Sequence, residues 1–211
     1  MNGLAWVLLG TAFVLAAFDW VAVARRRTWL EHLCKPGAAL AFLGTAIVLD
    51  PASGTARIWF CVALAACVAG DVFLMIPRDA FVAGLAAFAI AQVCFTIGFA
   101  HEDPTAARLV VGIVVVALVA FPIAWRLVRA LLAQGATRMI PPVAVYVALI
   151  AGMVVSAIAG GNAWGVVGAV LFFVSDSLIA ETRFVAPRAW GPIAIMVTYH
   201  CALAGLVVGL V

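Results

Sequence analysis

Four ionisable side chains stand inside otherwise apolar stretches of this 211-residue chain: Asp19, Lys35, Asp71 and Asp176. The polar residues Gln92, Tyr146, Ser175, Ser177, Tyr199 and His200 are set in the same kind of surroundings. A charge at the centre of a membrane-spanning helix costs about 2.5 to 3.5 kcal/mol on insertion scales, which is why such residues tend to mark function. Two carboxyls held in unlike environments can divide into an acid and a base at neutral pH. One then protonates a substrate while the other stabilises the developing cation or positions water, the chemistry of acid-catalysed hydrolysis. Asp71 and Asp176 form the candidate catalytic pair, because their short side chains cannot reach the membrane surface and nothing in their own helices pairs them. Lys35 is a candidate ligand for a phosphate group, and Tyr146, Tyr199 and His200 are candidate substrate-binding residues at the same depth. For Asp19 the simpler expectation is a pair with an arginine of the Arg25-Arg26-Arg27 cluster.

The elements that position these groups follow from composition. The chain is 68% hydrophobic and only 10% charged, and its mean hydropathy is +1.26, whereas a soluble domain carries about 45–50% apolar and about 25% charged residues. A soluble globular fold and a disordered chain are both excluded. Apolar runs near residues 3–24, 33–49, 57–76, 81–100, 107–125, 141–159, 163–180 and 190–210 predict an all-α integral membrane protein of eight transmembrane helices. The connections, among them Pro77-Arg78-Asp79, His101-Glu102-Asp103-Pro104 and Gly160-Gly161-Asn162, are rich in residues that stop helices. His32 and His101 fall in these connections. The first run lacks a basic leader segment and is expected to remain as a span. Eight spans leave no room for a soluble domain, so residues 1–211 read as a single transmembrane unit.

The basic residues fall unevenly. Odd-numbered connections hold ten of the twelve and even-numbered ones only Arg57 and Arg108, which places both termini outside a bacterial-type plasma membrane. Lys35, Asp71, Asp176, Tyr146, Tyr199 and His200 then lie roughly 5 to 15 Å below the cytoplasmic interface, as a pocket open to that side requires. Asp71 and Asp176, and likewise Pro36 and Pro141, are 105 residues apart. This spacing suggests two parallel four-helix repeats, 1–105 and 106–211.

Other chemistries fit less well. Cys34, Cys61, Cys67, Cys94 and Cys201 stand singly, without C-x-x-C spacing or metal-ligand register, and read as packing residues. The net charge of +3 favours neither nucleic acid nor a large acidic partner. The segment Val68-Ala69-Gly70-Asp71 lacks the first glycine of the G-x-G-D motif of intramembrane aspartyl proteases, and no Pro-Ala-Leu follows Asp176. A small transporter or lipid carrier, using the same aspartates for proton coupling, stands as the alternative to a hydrolase.

Lys35-Pro36, Gly70-Asp71-Val72-Phe73-Leu74-Met75, Phe81 with Gly84 and Phe88, Ser175-Asp176-Ser177-Leu178-Ile179-Ala180 and Thr198-Tyr199 together resemble the YhhN-type lysoplasmalogenase family, along the whole chain. The resemblance implies an integral-membrane hydrolase that cleaves the vinyl ether bond of a lysoplasmalogen to a fatty aldehyde and a glycerophospho-headgroup, without metal or cofactor. Its partners would be a lysophospholipid substrate and membrane lipids. It carries over Lys35, Asp71, Ser175, Asp176 and Tyr199 as site residues and adds Ser175 to the substrate-binding set. Where the family usually shows a Tyr-Tyr pair, this chain has Tyr199-His200; a glutamine expected soon after is Leu203 or absent. A family histidine is replaced within Gln92 to Phe95. These departures bear on the substrate more than on the fold.

Overall fold

A computed structural model describes residues 1–76 and 80–211, so the expected Pro77-Arg78-Asp79 turn lies outside the described residues. Eight α-helices follow one another: α1 Gly3–Ala24, α2 Thr28–Val48, α3 Gly54–Met75, α4 Phe81–Phe99, α5 Ala106–Ala133, α6 Ile140–Gly160, α7 Ala163–Phe184 and α8 Gly191–Val208, with a 3-10 turn, Thr137–Met139, ahead of α6. No strand occurs among the described residues. The helices begin where short polar side chains can take up free backbone N–H groups: Asn2 accepts from Ala5, Ser53 from Ala56, Thr105 from Arg108, and Asn162 from Trp164 and Gly165. Gly161, at φ +81°, closes α6 in the left-handed conformation that glycine adopts without strain.

Seven of the eight helices are long and apolar enough to cross a membrane. The exception is α2, whose first turns carry Glu31, His32 and Lys35. The outward surface is itself apolar, with Leu118 and Phe121 of α5 72% and 71% exposed. The molecule is a multi-pass helical membrane protein.

Three helices, α2, α5 and α7, run about a turn or more past their sequence-based limits. Thr28 rather than residue 33 opens α2, so His32 is helical and Lys35-Pro36 lies inside the helix rather than at its start. Eight residues beyond the end of its apolar run, α5 stops at Ala133; Leu127 and Leu131, one turn apart, are buried with Phe81, Val143 and Phe184 in a small cluster. The charges at Arg126 and Arg129 end the uniform apolar run without ending the helix, because one face still has a core to meet. Gly135, at φ +69°, and a bond from the Ala136 N–H to the Leu131 carbonyl finish it. Phe184 draws α7 out in the same way.

Successive helices pair as hairpins, α1 with α2, α3 with α4, α5 with α6 and α7 with α8, and in the last pair the two backbones touch. A Cβ on Gly168 would come within 2.5 Å of the Leu206 nitrogen, and one on Gly205 within 2.8 Å of the Gly168 Cα. A Cβ on Gly209 would reach 2.7 Å from the Gly165 nitrogen. Small residues let the two backbones touch, the usual means of helix association where lipid supplies no hydrophobic drive. Asn2 donates to the Val48 carbonyl and the Ala52 N–H to the Leu210 carbonyl, so both chain ends meet the α2–α3 turn at one end of the bundle.

Candidate active site

The ionisable residues sit in the half of the bundle remote from the chain ends, with Tyr199 and His200 at mid-depth. Asp71 of α3 is 1% exposed. Its Oδ2 accepts a 2.8 Å hydrogen bond from the Tyr199 hydroxyl of α8, and its Oδ1 faces the Lys35 ammonium of α2 at 3.3 Å. Three helices thus converge on one carboxylate. Phe88 and Phe172 close around Tyr199 edge-to-face, with ring centroids 5.9 and 5.7 Å away. A Cβ at Gly70 would meet the Phe88 ring at 2.7 Å, so the glycine before Asp71 is what admits that ring.

Asp176 of α7 is the second centre. The Tyr146 hydroxyl of α6 donates to its Oδ2, and the wholly buried Gln92 amide of α4 lies beside that hydroxyl without an aligned hydrogen bond. Asp71 and Asp176 are near enough to act on each other electrostatically. Cys67, one turn before Asp71 on the same face of α3, feels both. The sequence offered no sign of this beyond the i, i+4 spacing of Cys67 and Asp71.

Asp176, Tyr146 and Ser177 form part of the wall of a cavity otherwise lined by apolar side chains, among them Leu85, Phe88, Ile123 and Phe184. It holds about 660 Å³ of space between atoms, the open mouth included. An alkyl chain fits such a lining, and the carboxyl and phenol are where its polar end would rest.

The remaining candidates are distributed differently. Ser175 turns away from the cavity and donates to the Ile195 carbonyl at 3.1 Å, tying α7 to α8; the serine that lines the cavity is Ser177. His200 points towards α1, where the Trp20 Nε1–H donates to its Nδ1 at 3.0 Å. The imidazole Nε2 is buried without a hydrogen-bond partner. Asp19 does not pair with the arginine cluster: it is wholly buried, Arg25, Arg26 and Arg27 are exposed, and neither carboxylate oxygen has a hydrogen-bond partner. Its helical position turns it inward towards α2, where Lys35 and Cys34 lie in its electrostatic range.

Fold and site together define a helical membrane protein with one buried and one half-buried carboxyl, each bonded to a tyrosine, the half-buried one at the wall of an apolar cavity. A family model described as the YhhN family matches residues 30–210, and the chain belongs to that family. It is 30% identical over 177 residues to "Lysoplasmalogenase TMEM86B" of Homo sapiens, covering 83% of this chain and 73% of the human protein. It is 32% identical over 156 residues to proteins named "Lysoplasmalogenase" from Mycobacterium bovis and Mycobacterium tuberculosis, covering 70% of this chain and 58% of theirs. No solved structure matches. Helix α1, with Asp19 and Trp20, precedes the range matched by the family model.

Proposed function

We propose that this protein is a membrane hydrolase that cleaves the vinyl ether bond of a lysoplasmalogen, releasing a fatty aldehyde and a glycerophospho-headgroup. The observation that carries this reading is the cavity whose apolar walls converge on Asp176 and Tyr146, with the Asp71–Lys35–Tyr199 cluster behind. The names of the human and mycobacterial relatives support it.

In this mechanism Asp176 is the acid and Asp71 the base. Asp71 has the partners of a carboxylate, an ammonium and a phenol donor, whereas Asp176 has a single phenol donor and an apolar wall. The Asp176 carboxyl gives its proton to the β-carbon of the vinyl ether, and the double bond's electron pair forms the new C–H bond. The resulting oxocarbenium ion is stabilised by the two carboxylates. Water adds to the cationic carbon as Asp71 takes its proton. The hemiacetal then collapses: its hydroxyl proton leaves to the Asp176 carboxylate, the bond to the glycerol oxygen breaks, and Asp71 gives that oxygen the proton it took from water, which restores both groups. Neither metal nor cofactor enters. All eight helices span the membrane in this reading, with the termini outside and the site towards the cytoplasm of a bacterial-type cell. Residues 1–105 and 106–211 supply one aspartate each, as two related halves would.

The test is aldehyde release from a lysoplasmalogen by purified protein, followed with a coupled dehydrogenase. Wild type should yield aldehyde, and Asp71→Asn and Asp176→Asn should each lose it while keeping wild-type helicity. Turnover by both variants overturns the mechanism. Proton-dependent lipid accumulation in vesicles without a new product would point instead to a carrier.

A further inference from the structure

Between α4 and α6 the outer surface of the bundle carries a groove. Leu85, Ala86 and Ala89 of α4 line it with Pro142, Val145 and Tyr146 of α6, and two of these, Leu85 and Tyr146, also line the cavity. We infer that this groove is a lateral portal, in which the alkyl chain of a single-chain membrane lipid lies before it passes Leu85 into the cavity. That this lipid is the substrate rests on the function proposed above; the portal itself stands on the geometry that follows.

The groove arises from the residues that the two helices bring to their shared outer edge. Positions 82, 85, 86 and 89 form one stripe of α4, and 141, 142, 145 and 146 one stripe of α6. Ala86 and Ala89 end at Cβ and the Pro142 ring is compact, so the helices pack together without filling the furrow. At the helical rise it runs roughly 8 to 10 Å along the bundle. Both helices are long and apolar enough to cross a membrane, and the flanking Val82 and Val145 are 58% and 60% exposed. Apart from the Tyr146 phenol the lining is apolar throughout. In a bilayer such a surface meets lipid tails, which makes an alkyl chain its occupant.

A side chain that lines both spaces stands between them, and the two that do so differ in freedom. Tyr146 is held by its hydrogen bond to Asp176. Leu85 is half-buried, and its neighbours on the groove side of α4, Ala86 and Ala89, are single methyl groups, so a change of rotamer can swing it out into the furrow. Leu85 is thus the movable leaf and Tyr146 the fixed post. The opening lies beside the Asp176–Tyr146 pair. A chain drawn in there reaches the carboxyl without exposing its apolar length to water on the way.

The test follows the filling of the cavity in lipid nanodiscs by a saturated 1-O-hexadecyl lysophospholipid that carries a diazirine in its chain and has no vinyl ether to cleave. Samples are illuminated at successive times after the lipid is added. Label is read by mass spectrometry on Leu127, Ile150 and Phe173, buried residues that line the cavity and not the groove. A 1-O-butyl analogue with the same photoreactive group, which dissolves in water and reaches the cavity through its open mouth, is the comparison. Ala86→Trp and Ala89→Trp fill the groove from outside the cavity, and each should slow labelling by the hexadecyl lipid about tenfold or more while leaving the butyl analogue unchanged. Leu85→Ala should speed the hexadecyl lipid alone. Equal slowing of both ligands, no slowing by either tryptophan, or no label on these three residues in the wild type overturns the inference. Labelling as expected by a protein that releases no aldehyde from a lysoplasmalogen would keep the portal and refute the hydrolase reading alone. Aldehyde release with labelling rates indifferent to both tryptophans would do the reverse.

Discussion

Removing the ammonium of Lys35 gives the sharpest test of the Asp71 centre. The ion pair is nearly dry, with the two side chains 7% and 1% exposed and Nζ 3.3 Å from Oδ1. At an effective dielectric constant of about 20 the attraction is about 5 kcal/mol, most of which goes to offset the desolvation of the two groups. In Lys35→Met the desolvated carboxylate keeps only the Tyr199 hydroxyl, and the expected loss of stability is about 3 to 5 kcal/mol. Removing both charges in Lys35→Met with Asp71→Leu should restore most of that loss, since an apolar pair of similar volume is often neutral or better. Reversible unfolding in mixed detergent and SDS micelles, followed by far-ultraviolet circular dichroism, gives the four corners of the cycle. Strict additivity, or a Lys35→Met variant within about 0.5 kcal/mol of wild type, would refute the reasoning.

Tyr146→Phe, which removes the hydrogen-bond donor that Asp176 has among the described residues, should cut aldehyde release about tenfold to a hundredfold with helicity unchanged, as steady-state kinetics will show. Gly168→Ala should cost about 3 kcal/mol or more in the same unfolding assay, because its methyl group would meet backbone rather than a movable side chain. Asp19→Leu should raise stability by about 1 to 3 kcal/mol, since the carboxyl is buried and neither oxygen gives up a hydrogen bond when it is removed. In the loop between α4 and α5, burial pushes the Glu102 carboxyl up from the ordinary 4.5 to about 7. The folded protein therefore holds this proton where the unfolded chain has lost it, so stability should fall as pH rises from about 4.5 to about 7. Glu102→Gln should flatten that slope in thermal unfolding measured at successive pH values.

Helix positions and the choice of Asp71, Asp176, Tyr146 and Tyr199 were legible in the sequence, because polar residues in apolar runs are conspicuous and their depth follows from helical rise. The partners were not. Which tyrosine serves which aspartate depends on how α6, α7 and α8 are arranged in space, and no local pattern encodes that. Asp19 was misread because its sequence neighbours, Arg25 to Arg27, lie beyond the buried part of α1 while the side chain turns inward. The end of α5 was missed because hydropathy alone treats Arg126 and Arg129 as a stop, although the i, i+4 pair Leu127 and Leu131 continues the buried face.

The glycine contact between α7 and α8 divides the labour of the molecule. Asp176 and Tyr199 are mounted on two backbones that touch at Gly168 and Gly205, so the two helices cannot slide past each other without a steric collision. Across the cavity, α5 contributes Ile123 and Leu127 from the most lipid-exposed helix, interrupted at Pro122, where the missing N–H weakens the ladder and eases bending. Under the proposed function, Asp176 rides on the stiff side and the fitting of different chain lengths falls to the compliant one. On that reading, tailoring the protein to a longer or bulkier tail is a matter of resurfacing α5, with Asp176 and Tyr146 left in place.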